Sequence, residues 1–230
     1  MLNFPLGGGF PRRHNFFNQI ISVENLLLAW QEFIKGKRSK KDAQLFQLNL
    51  IDNILTLHKD LTNKRYKHGS YHHFKISDPK PRDIHKASVR DRLLHHAIHR
   101  VLYPYFDKKF IADSYSCRIN KGTHKALNRF RSFAYKTSRN NTKTCWILKC
   151  DIQKFFANIN HKKLNQILAK YIKCKDTIWL LDKIISSFNT TSCHTTGRPS
   201  SSMTGLPLGN FTSQLLVNIY MHEFDQFVKH

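Results

Sequence analysis

One carboxylate stands in a setting suited to metal-ion chemistry. Asp151 closes the apolar run 146–148, and Phe155-Phe156 follows one turn later. A carboxylate at the end of a buried strand offers the oxygen ligands that hard divalent cations need. Two such ions can clamp a transferring phosphoryl group. An Asp in this position also commonly caps the next turn, so the residue taken alone leaves both interpretations open.

Two histidines form a weaker candidate. His95 and His99 are spaced i, i+4, which puts both side chains on one helix face at the spacing of a metal pair. No third ligand or His-Glu-x-x-His pattern accompanies them, so a polar helix face or an RNA contact is favoured for these two and for His96. The run Gly7–Gly9 is not followed by the Gly-Lys-Ser/Thr of a phosphate loop.

Hydrophobic periodicity predicts the elements that must position these residues. Helices are expected at about 22–35, 41–61, 87–106, 122–137, 161–173, 176–188 and 208–228, and strands at 71–76 and 145–152. Residues 1–21 are expected to form an irregular arm and residues 189–204 a loop. Helices predominate and the strands stand singly between them, which predicts the α+β class.

The charge of the chain points to a polyanionic partner. Lys and Arg number 38 against 15 Asp and Glu, a formal charge of +23, and such a field concentrates nucleic acid or anionic membrane. No apolar run approaches the roughly 20 residues of a spanning helix, and no signal peptide is visible. We therefore expect a cytoplasmic protein without a membrane partner. The five Cys form no Cys-x-x-Cys pair, which predicts reduced, mostly buried thiols.

Four segments resemble blocks of bacterial reverse transcriptases. KPRDIHKASVRDRLLHHAI (80–98) resembles the fingers block, and WILKCDIQKFFANINHKKL (146–164) the block with the first catalytic Asp. GLPLGNFTSQLLVNIYMHEFD (205–225) resembles the block after the catalytic strand. SYSCRINKGTHKAL (114–127) is similar to the version found in diversity-generating retroelements. The resemblance runs from about residue 22 to the end, in the family's order and spacing.

The third block also indicates a subtype. Leu208-Gly209 stands where most relatives have Gln-Gly, and Ser213-Gln214 where they often have Ser-Pro. Both departures resemble the enzymes of diversity-generating retroelements.

The resemblance implies a role for each matching residue. Asp151 and the carbonyl of Ile152 would bind Mg²⁺, of which the complete enzyme would hold two ions, and Phe156 would exclude a ribose 2′-hydroxyl. The other implied nucleotide-binding residues are Lys75, Arg82, Leu208 and Gly209. The implied template- or primer-binding residues are Arg90, Arg92, Lys121, Gly122, Ser213 and Gln214.

Some of these residues also have a structural interpretation. Arg90 and Arg92 flank Asp91 and could form a local ion-pair cluster. The sequence Lys121-Gly122-Thr123 suits a helix N-cap as well as a phosphate contact. Leu208 could simply pack the start of the last helix.

The family's second carboxylate motif, Tyr-x-Asp-Asp, does not occur in the sequence, which ends at His230. Glu223 and Asp225 cannot replace it, because they belong to the segment that matches the helix before that motif. One carboxylate cannot organise two ions. We expect a truncated gene, an incomplete open reading frame or a split protein, and a chain that is inactive alone.

The sequence thus predicts the fingers and partial palm of a right-hand polymerase, helix-rich with a small antiparallel palm sheet. The expected divisions are 1–65, an N-terminal arm and helical extension; 66–144, fingers; and 145–230, an incomplete palm. The resemblance implies RNA-directed DNA synthesis in a diversity-generating retroelement, with an RNA template, a DNA or RNA primer, dNTPs and a basic accessory protein as partners. The alternatives are a group II intron or retron enzyme and a non-catalytic RNA-binding protein derived from one.

Overall fold

A computed structural model describes residues 15–77, 81–190 and 203–230. The predicted features Gly7–Gly9 and Cys193, and most of the predicted loop 189–204, lie outside these ranges. The helices are α1 (Phe16–Ile21), α2 (Val23–Phe33), α3 (Lys41–Leu48), α4 (Leu50–Thr62), α5 (Val89–Asp107), α6 (Thr123–Thr137), α7 (His161–Tyr171), α8 (Lys175–Ile185) and α9 (Phe211–Lys229). The strands are β1 (His72–Ile76) and β2 (Arg82–Lys86), and Phe155–Asn158 forms a 3₁₀ turn.

Helix α5 lies at the centre of the core. The Ser88 hydroxyl caps its first turn by accepting a hydrogen bond from the Asp91 amide at 3.1 Å. Its buried leucines and isoleucine pack among α1, α2 and α9. Full burial of each such side chain contributes about 1.5–3 kcal/mol. Helix α9 is therefore anchored on α5.

The two strands form an antiparallel hairpin, which confirms the small antiparallel sheet and the α+β class. The strand over 71–76 was predicted, whereas β2 was not, since the charged residues Arg82, Asp83 and Lys86 break its apolar alternation. Phe74 pairs with Ile84 in the register. Cross-strand pairs of this kind stabilise a half-exposed hairpin.

The predicted strand over 145–152 is wrong. These residues form no regular structure, and Trp146 and Leu148 are 92% and 90% exposed. A strand requires a hydrogen-bonding neighbour, and within the described ranges no strand pairs with this segment. The hairpin that is present belongs to the expected fingers segment, not to the palm.

Two predictions for the N-terminal third also need correction. Residues 16–21 were expected in an irregular arm but form α1, whose Phe16, Phe17 and Ile20 enter the core. The single helix predicted over 41–61 is broken at Asn49, where the backbone leaves the helical region (φ −119°, ψ 42°).

The thiols differ from expectation as well. Of the four described cysteines, Cys117 and Cys150 are exposed and Cys145 and Cys174 are partly exposed; all four are unpaired. Two of them lie in the exposed 145–152 segment, so the wrong strand prediction explains part of the difference. In the described ranges no helix has the length and apolar character needed to cross a bilayer.

Candidate active site

One extended segment connects most of the predicted nucleotide-binding residues. The Leu206 amide donates a hydrogen bond of 2.8 Å to the Phe156 carbonyl. Two residues later, the Leu208 carbonyl accepts one of 3.1 Å from the amide of His85 in β2. Residues 205–210 therefore bridge the 3₁₀ turn and the hairpin. Phe156, Leu208 and the hairpin are thus held side by side.

Gly209 makes this bridge possible. Its φ is +103°, which side chains rarely adopt, and a Cβ there would lie 3.1 Å from Cγ2 of Ile84. The Asn210 side chain adds a hydrogen bond of 3.4 Å to the His85 carbonyl. The sequence did not predict a role for Asn210 or His85, because neither residue type indicates that it will make a hydrogen bond to or from the backbone of a distant segment.

Asp151 and Ile152 precede the 3₁₀ turn, and both are exposed. Lys154, at φ 49° and ψ 43°, turns the backbone between them and Phe156. The Phe156 ring is half-buried and stands edge-to-face with Phe155 at 6.0 Å. Asp151 thus has the solvent access that a metal ligand for a phosphate-bearing substrate needs.

The structure does not bring Lys75 and Arg82 to one face of the hairpin. The register pairs Lys75 with Asp83 and Arg82 with Ile76, and side chains alternate along each strand. Both residues are exposed. A ligand held by both must therefore lie across the end of the hairpin.

Arg90 and Arg92 are held by carboxylates of neighbouring helices. Arg90 donates to Asp60 at 2.7 Å and lies 3.7 Å from Asp91. Arg92 donates to Asp42 at 2.7 Å. Both arginines therefore form the ion pairs that were the structural alternative to RNA binding, and their partners include carboxylates of α3 and α4 as well as Asp91.

The four remaining template candidates differ in exposure and in the contacts they make. Lys121 donates to the Ala112 carbonyl at 2.7 Å, and Gly122 precedes α6 at φ 100°. Ser213 is buried. Gln214 is exposed on the first turn of α9.

A cavity of about 340 Å³, which we call the hairpin cavity, lies beside Gly209. It brings together three predicted residues, Arg92, Gly209 and Gln214. Its other lining residues are Phe33, Lys37, Phe74, Ile84, Lys86, His95, His96, Asn210 and Phe211. Lys37 and Lys86 were missed because lysines in charged stretches are usually solvated.

His95 is a structural residue and not an RNA contact, since it is 1% exposed. His68 Nδ1 donates to the Gly69 carbonyl at 2.7 Å, and His68 Nε2 lies 3.3 Å from His95 Nε2. His95 Nδ1 then accepts from the Thr212 hydroxyl at 2.6 Å. These contacts tie the entry of the hairpin to α9.

The other two histidines of α5 are also occupied within the protein. His96 and His99 stack on Phe211 with ring centroids 4.5 and 4.1 Å apart. Burial lowers the pKa of each to about 4. Among the described residues, no three His, Cys, Asp or Glu are grouped as metal ligands.

Comparison with known proteins decides the family. Residues 72–230 match the family described as reverse transcriptase (RNA-dependent DNA polymerase). The chain is a member of the reverse transcriptase family. The matched range contains the hairpin, the 3₁₀ turn and the bridge segment.

Relatives of this reverse transcriptase include proteins encoded in introns. It is 27% identical over 154 residues to the group II intron-encoded protein LtrA of Lactococcus lactis subsp. cremoris, covering 67% of this chain and 24% of LtrA. It is 26% identical over 223 residues to the putative COX1/OXI3 intron 1 protein of Saccharomyces cerevisiae, covering 94% of this chain and 25% of that protein. The chain thus spans about a quarter of each of these two relatives.

A solved structure shows the same fold. A chain of a partial Cas6-RT-Cas1–Cas2 complex superposes with a TM-score of 0.57 at 20% identity, covering 93% of this chain and 35% of that one. At this identity the likeness concerns the fold alone.

Proposed function

We propose that this reverse transcriptase chain forms the fingers (66–144) and part of the palm (145–230) of an RNA-directed DNA polymerase, behind an N-terminal extension (1–65). The reaction is nucleotidyl transfer from a dNTP to a primer 3′-hydroxyl on an RNA template. The observation that carries the proposal is the bridge from Phe156 through Leu208 to His85. It supports a nucleotide site between the 3₁₀ turn and the hairpin.

In this site Phe156 lies under the sugar of the incoming nucleotide. A rigid ring there leaves no room for a 2′-hydroxyl, so ribonucleotides are rejected by shape. Lys75 and Arg82 hold the triphosphate from the two faces of the hairpin end. Leu208 and Gly209 contact the new base pair, and Gln214 the template strand. Arg90, Arg92, Lys121, Gly122 and Ser213 support the template or primer.

Mg²⁺ fits the donor atoms of this chain in part. The Asp151 carboxylate and the Ile152 carbonyl are hard oxygen ligands on exposed backbone, and protein-bound Mg²⁺ commonly takes one or two carboxylates together with substrate phosphates. When bound, the metal neutralises charge on the transferring phosphoryl group. Asp151 is the one carboxylate that the resemblance assigns to the metal in this segment.

We assign the polymerase to a diversity-generating retroelement because of Leu208. A Gln there can leave a polar group unpaired when a nucleotide is misplaced, which penalises the error by about 1–3 kcal/mol. Leu makes only apolar contacts, which discriminate weakly between small displacements. In a primer-extending polypeptide that contains these residues, Leu208→Gln should make fewer errors than the parent, which sequencing of the cDNA measures. If the parent and Leu208→Gln gave equal error spectra, Leu208 would be only a packing residue, and the assignment to a diversity-generating retroelement would fail.

A group II intron enzyme is the second candidate. The intron-encoded relatives from two organisms favour it. Leu208 and Gln214 favour the retroelement. The two candidates differ in RNA partner: an intron enzyme should prefer its own structured intron RNA, whereas a retroelement enzyme should work with a basic accessory protein.

The proposal is tested by RNA binding and primer extension with the purified chain. The charge of +23 predicts RNA affinity that falls steeply with salt, because bound counterions are released on association. Primer extension should be absent, since one carboxylate cannot organise two ions. RNA affinity that does not change with salt concentration would contradict the predicted electrostatic binding. Mg²⁺-dependent primer extension by these 230 residues would contradict the predicted lack of activity.

A further inference from the structure

Helices α3 and α4 carry four large apolar side chains that the core does not cover. Leu45 and Leu48 of α3 are 58% and 78% exposed, and Ile51 and Leu55 of α4 are 57% and 38% exposed. The other side of α4 is buried in the core. Helix α4 therefore has apolar residues on two sides, of which the core covers one. We call the four exposed residues the α3–α4 face.

The residues of the α3–α4 face are neighbours. Leu45 and Leu48 are three residues apart on α3, and Ile51 and Leu55 are four apart on α4, so each pair lies on one side of its helix. Leu48 and Ile51 are three residues apart across the break at Asn49, which keeps their Cα atoms within about 11 Å. Single exposed apolar residues are ordinary on a protein surface, whereas a grouped set indicates an interaction site.

The sequence around this face is nearly free of charge. With His neutral, residues 43–58 contain one charged side chain, Asp52, and no Lys or Arg, although the whole chain carries +23. Affinity for RNA comes mainly from Lys and Arg, so the face is poorly suited to RNA. Apolar residues with few charges among them are typical of the centre of a protein–protein interface.

The charges at the edge of the face suit a second copy of this chain. Asp52 lies three residues before Leu55 and Lys59 four residues after it, and both are exposed. At 100° per residue, the side chains of these two charged residues lie on the same side of Leu55 around the helix. Two antiparallel α4 helices that cross at Leu55 therefore place Asp52 of each copy beside Lys59 of the other. This is the self-complementary pattern that a two-fold symmetric interface requires.

We propose that the α3–α4 face joins two copies of this chain into a dimer, with the α4 helices antiparallel and crossing at Leu55. The dimer removes the exposed apolar side chains of both copies from water, which stabilises it. Two ion pairs between Asp52 and Lys59 at the edge of the interface fix the register of the helices. The inference goes beyond the proposed function and does not depend on it, because no residue of the face belongs to the proposed nucleotide site.

The charge of the chain gives this dimer a salt dependence opposite to that of RNA binding. Two chains of +23 repel each other, and salt screens that repulsion, so the dimer should become tighter as the salt concentration rises. Two chains bridged by RNA should instead separate, because salt weakens protein–RNA contacts. Salt therefore distinguishes direct contact between the copies from bridging by RNA.

Sedimentation equilibrium of the nuclease-treated 230-residue chain measures the dissociation constant of the dimer at low and at high salt. The parent chain should dimerise, with a lower dissociation constant at high salt. Leu55→Glu places two like charges at the crossing point and should raise the dissociation constant about tenfold. Leu127→Glu is the matched control, because Leu127 is 53% exposed on α6, outside the face. Circular dichroism checks that each variant is folded.

Charge reversal tests the antiparallel arrangement. Asp52→Lys places two lysines side by side across the interface and should raise the dissociation constant. Adding Lys59→Asp restores opposite charges between the copies and should return the constant toward that of the parent. Residues 52 and 59 are too far apart on one helix to pair with each other, so this recovery requires contact between two copies.

A parent chain that remains monomeric at high salt would overturn the inference and leave the face to a different protein. A dimer that nuclease treatment dissolves would overturn it as well, and so would a dissociation constant that Leu55→Glu does not change. Failure of the Asp52→Lys, Lys59→Asp double variant to recover would overturn the antiparallel arrangement. The proposed function is tested separately by RNA binding and primer extension, so each proposal can fail without the other.

Discussion

The amide of His85 donates a hydrogen bond of 3.1 Å to the carbonyl oxygen of Leu208. This contact joins the β1–β2 hairpin to the segment that leads into α9. Asn210 supports it by donating to the His85 carbonyl at 3.4 Å. The distance between the hairpin and the 3₁₀ turn therefore depends on the backbone of residues 205–210.

Gly209→Ala should destabilise the protein by about 1–3 kcal/mol, because it forces a side chain into a strained backbone conformation. The new Cβ would also meet Cγ2 of Ile84 at 3.1 Å. Gly36→Ala is the matched control: its φ is +69°, but nothing lies within 4 Å of its Cβ position. Urea unfolding should show the larger loss at Gly209.

The same substitution in an Ile84→Ala background isolates the steric contribution. Removing Cγ2 leaves the backbone strain and eliminates the close contact, so the cost of Gly209→Ala should shrink toward that of Gly36→Ala. An unchanged cost in this background would show that Gly209 does not pack against β2 as described.

Stability should fall in acid because of His95. Burial, aided by repulsion from His68, lowers the pKa of His95 from 6.5 to about 3. Between these two values the unfolded chain binds a proton that the folded chain does not, so protons favour unfolding. The free energy of unfolding should therefore decrease as the pH falls below 6.5, by at most about 1.4 kcal/mol per pH unit for this residue, and level off near pH 3.

His95→Gln checks this assignment. Its amide can donate to His68 and accept from Thr212 without titrating, so the pH dependence of the unfolding free energy should become shallower. His124→Gln, at an exposed position of α6, is the control and should leave the slope unchanged. Identical slopes for the parent chain and His95→Gln would rule out His95 as the buried group responsible.

Asp151 and Phe156 should have separable effects in a primer-extending polypeptide that contains this chain. Asp151→Ala removes a metal ligand and should abolish extension while RNA affinity stays near normal. Phe156→Ala should instead admit ribonucleotides, measured as incorporation of NTP relative to dNTP. Asp176→Ala, an exposed carboxylate paired with Lys64, is the matched control. Substantial activity in Asp151→Ala would show that the metal is held elsewhere.

Local patterns predicted the helices well, since most of them carry an apolar face and a clear stop. The helix bounds for α5 and α6 differ from the predicted ones by one or two residues. The hydrophobic periodicity failed to predict helix ends that are set by tertiary contacts. Asn53 donates to the Phe46 carbonyl at 3.0 Å, next to the helix break at Asn49, and no periodicity reveals such a contact.

The site was predictable only in part for a related reason. Asp151, Phe156 and Gly209 lie in segments that resemble blocks of the family, so the sequence alone made them candidates. Lys37, Asn210 and the His85 backbone are brought near the bridge from chain segments far apart in sequence, which no local pattern reveals. The apolar run 146–148 predicted burial, but a strand depends on a partner that the run itself does not encode.

Crosslinking from the primer end tests the central claim most directly. The chain is bound to an RNA template annealed to a DNA primer that carries 4-thiothymidine at its 3′ end, and crosslinked peptides are identified by mass spectrometry. The proposed site predicts crosslinks in residues 151–156 and 205–211, on the two sides of the Phe156–Leu206 hydrogen bond. Crosslinks confined to the basic surface of α6 or to the basic stretch 35–41 would contradict it.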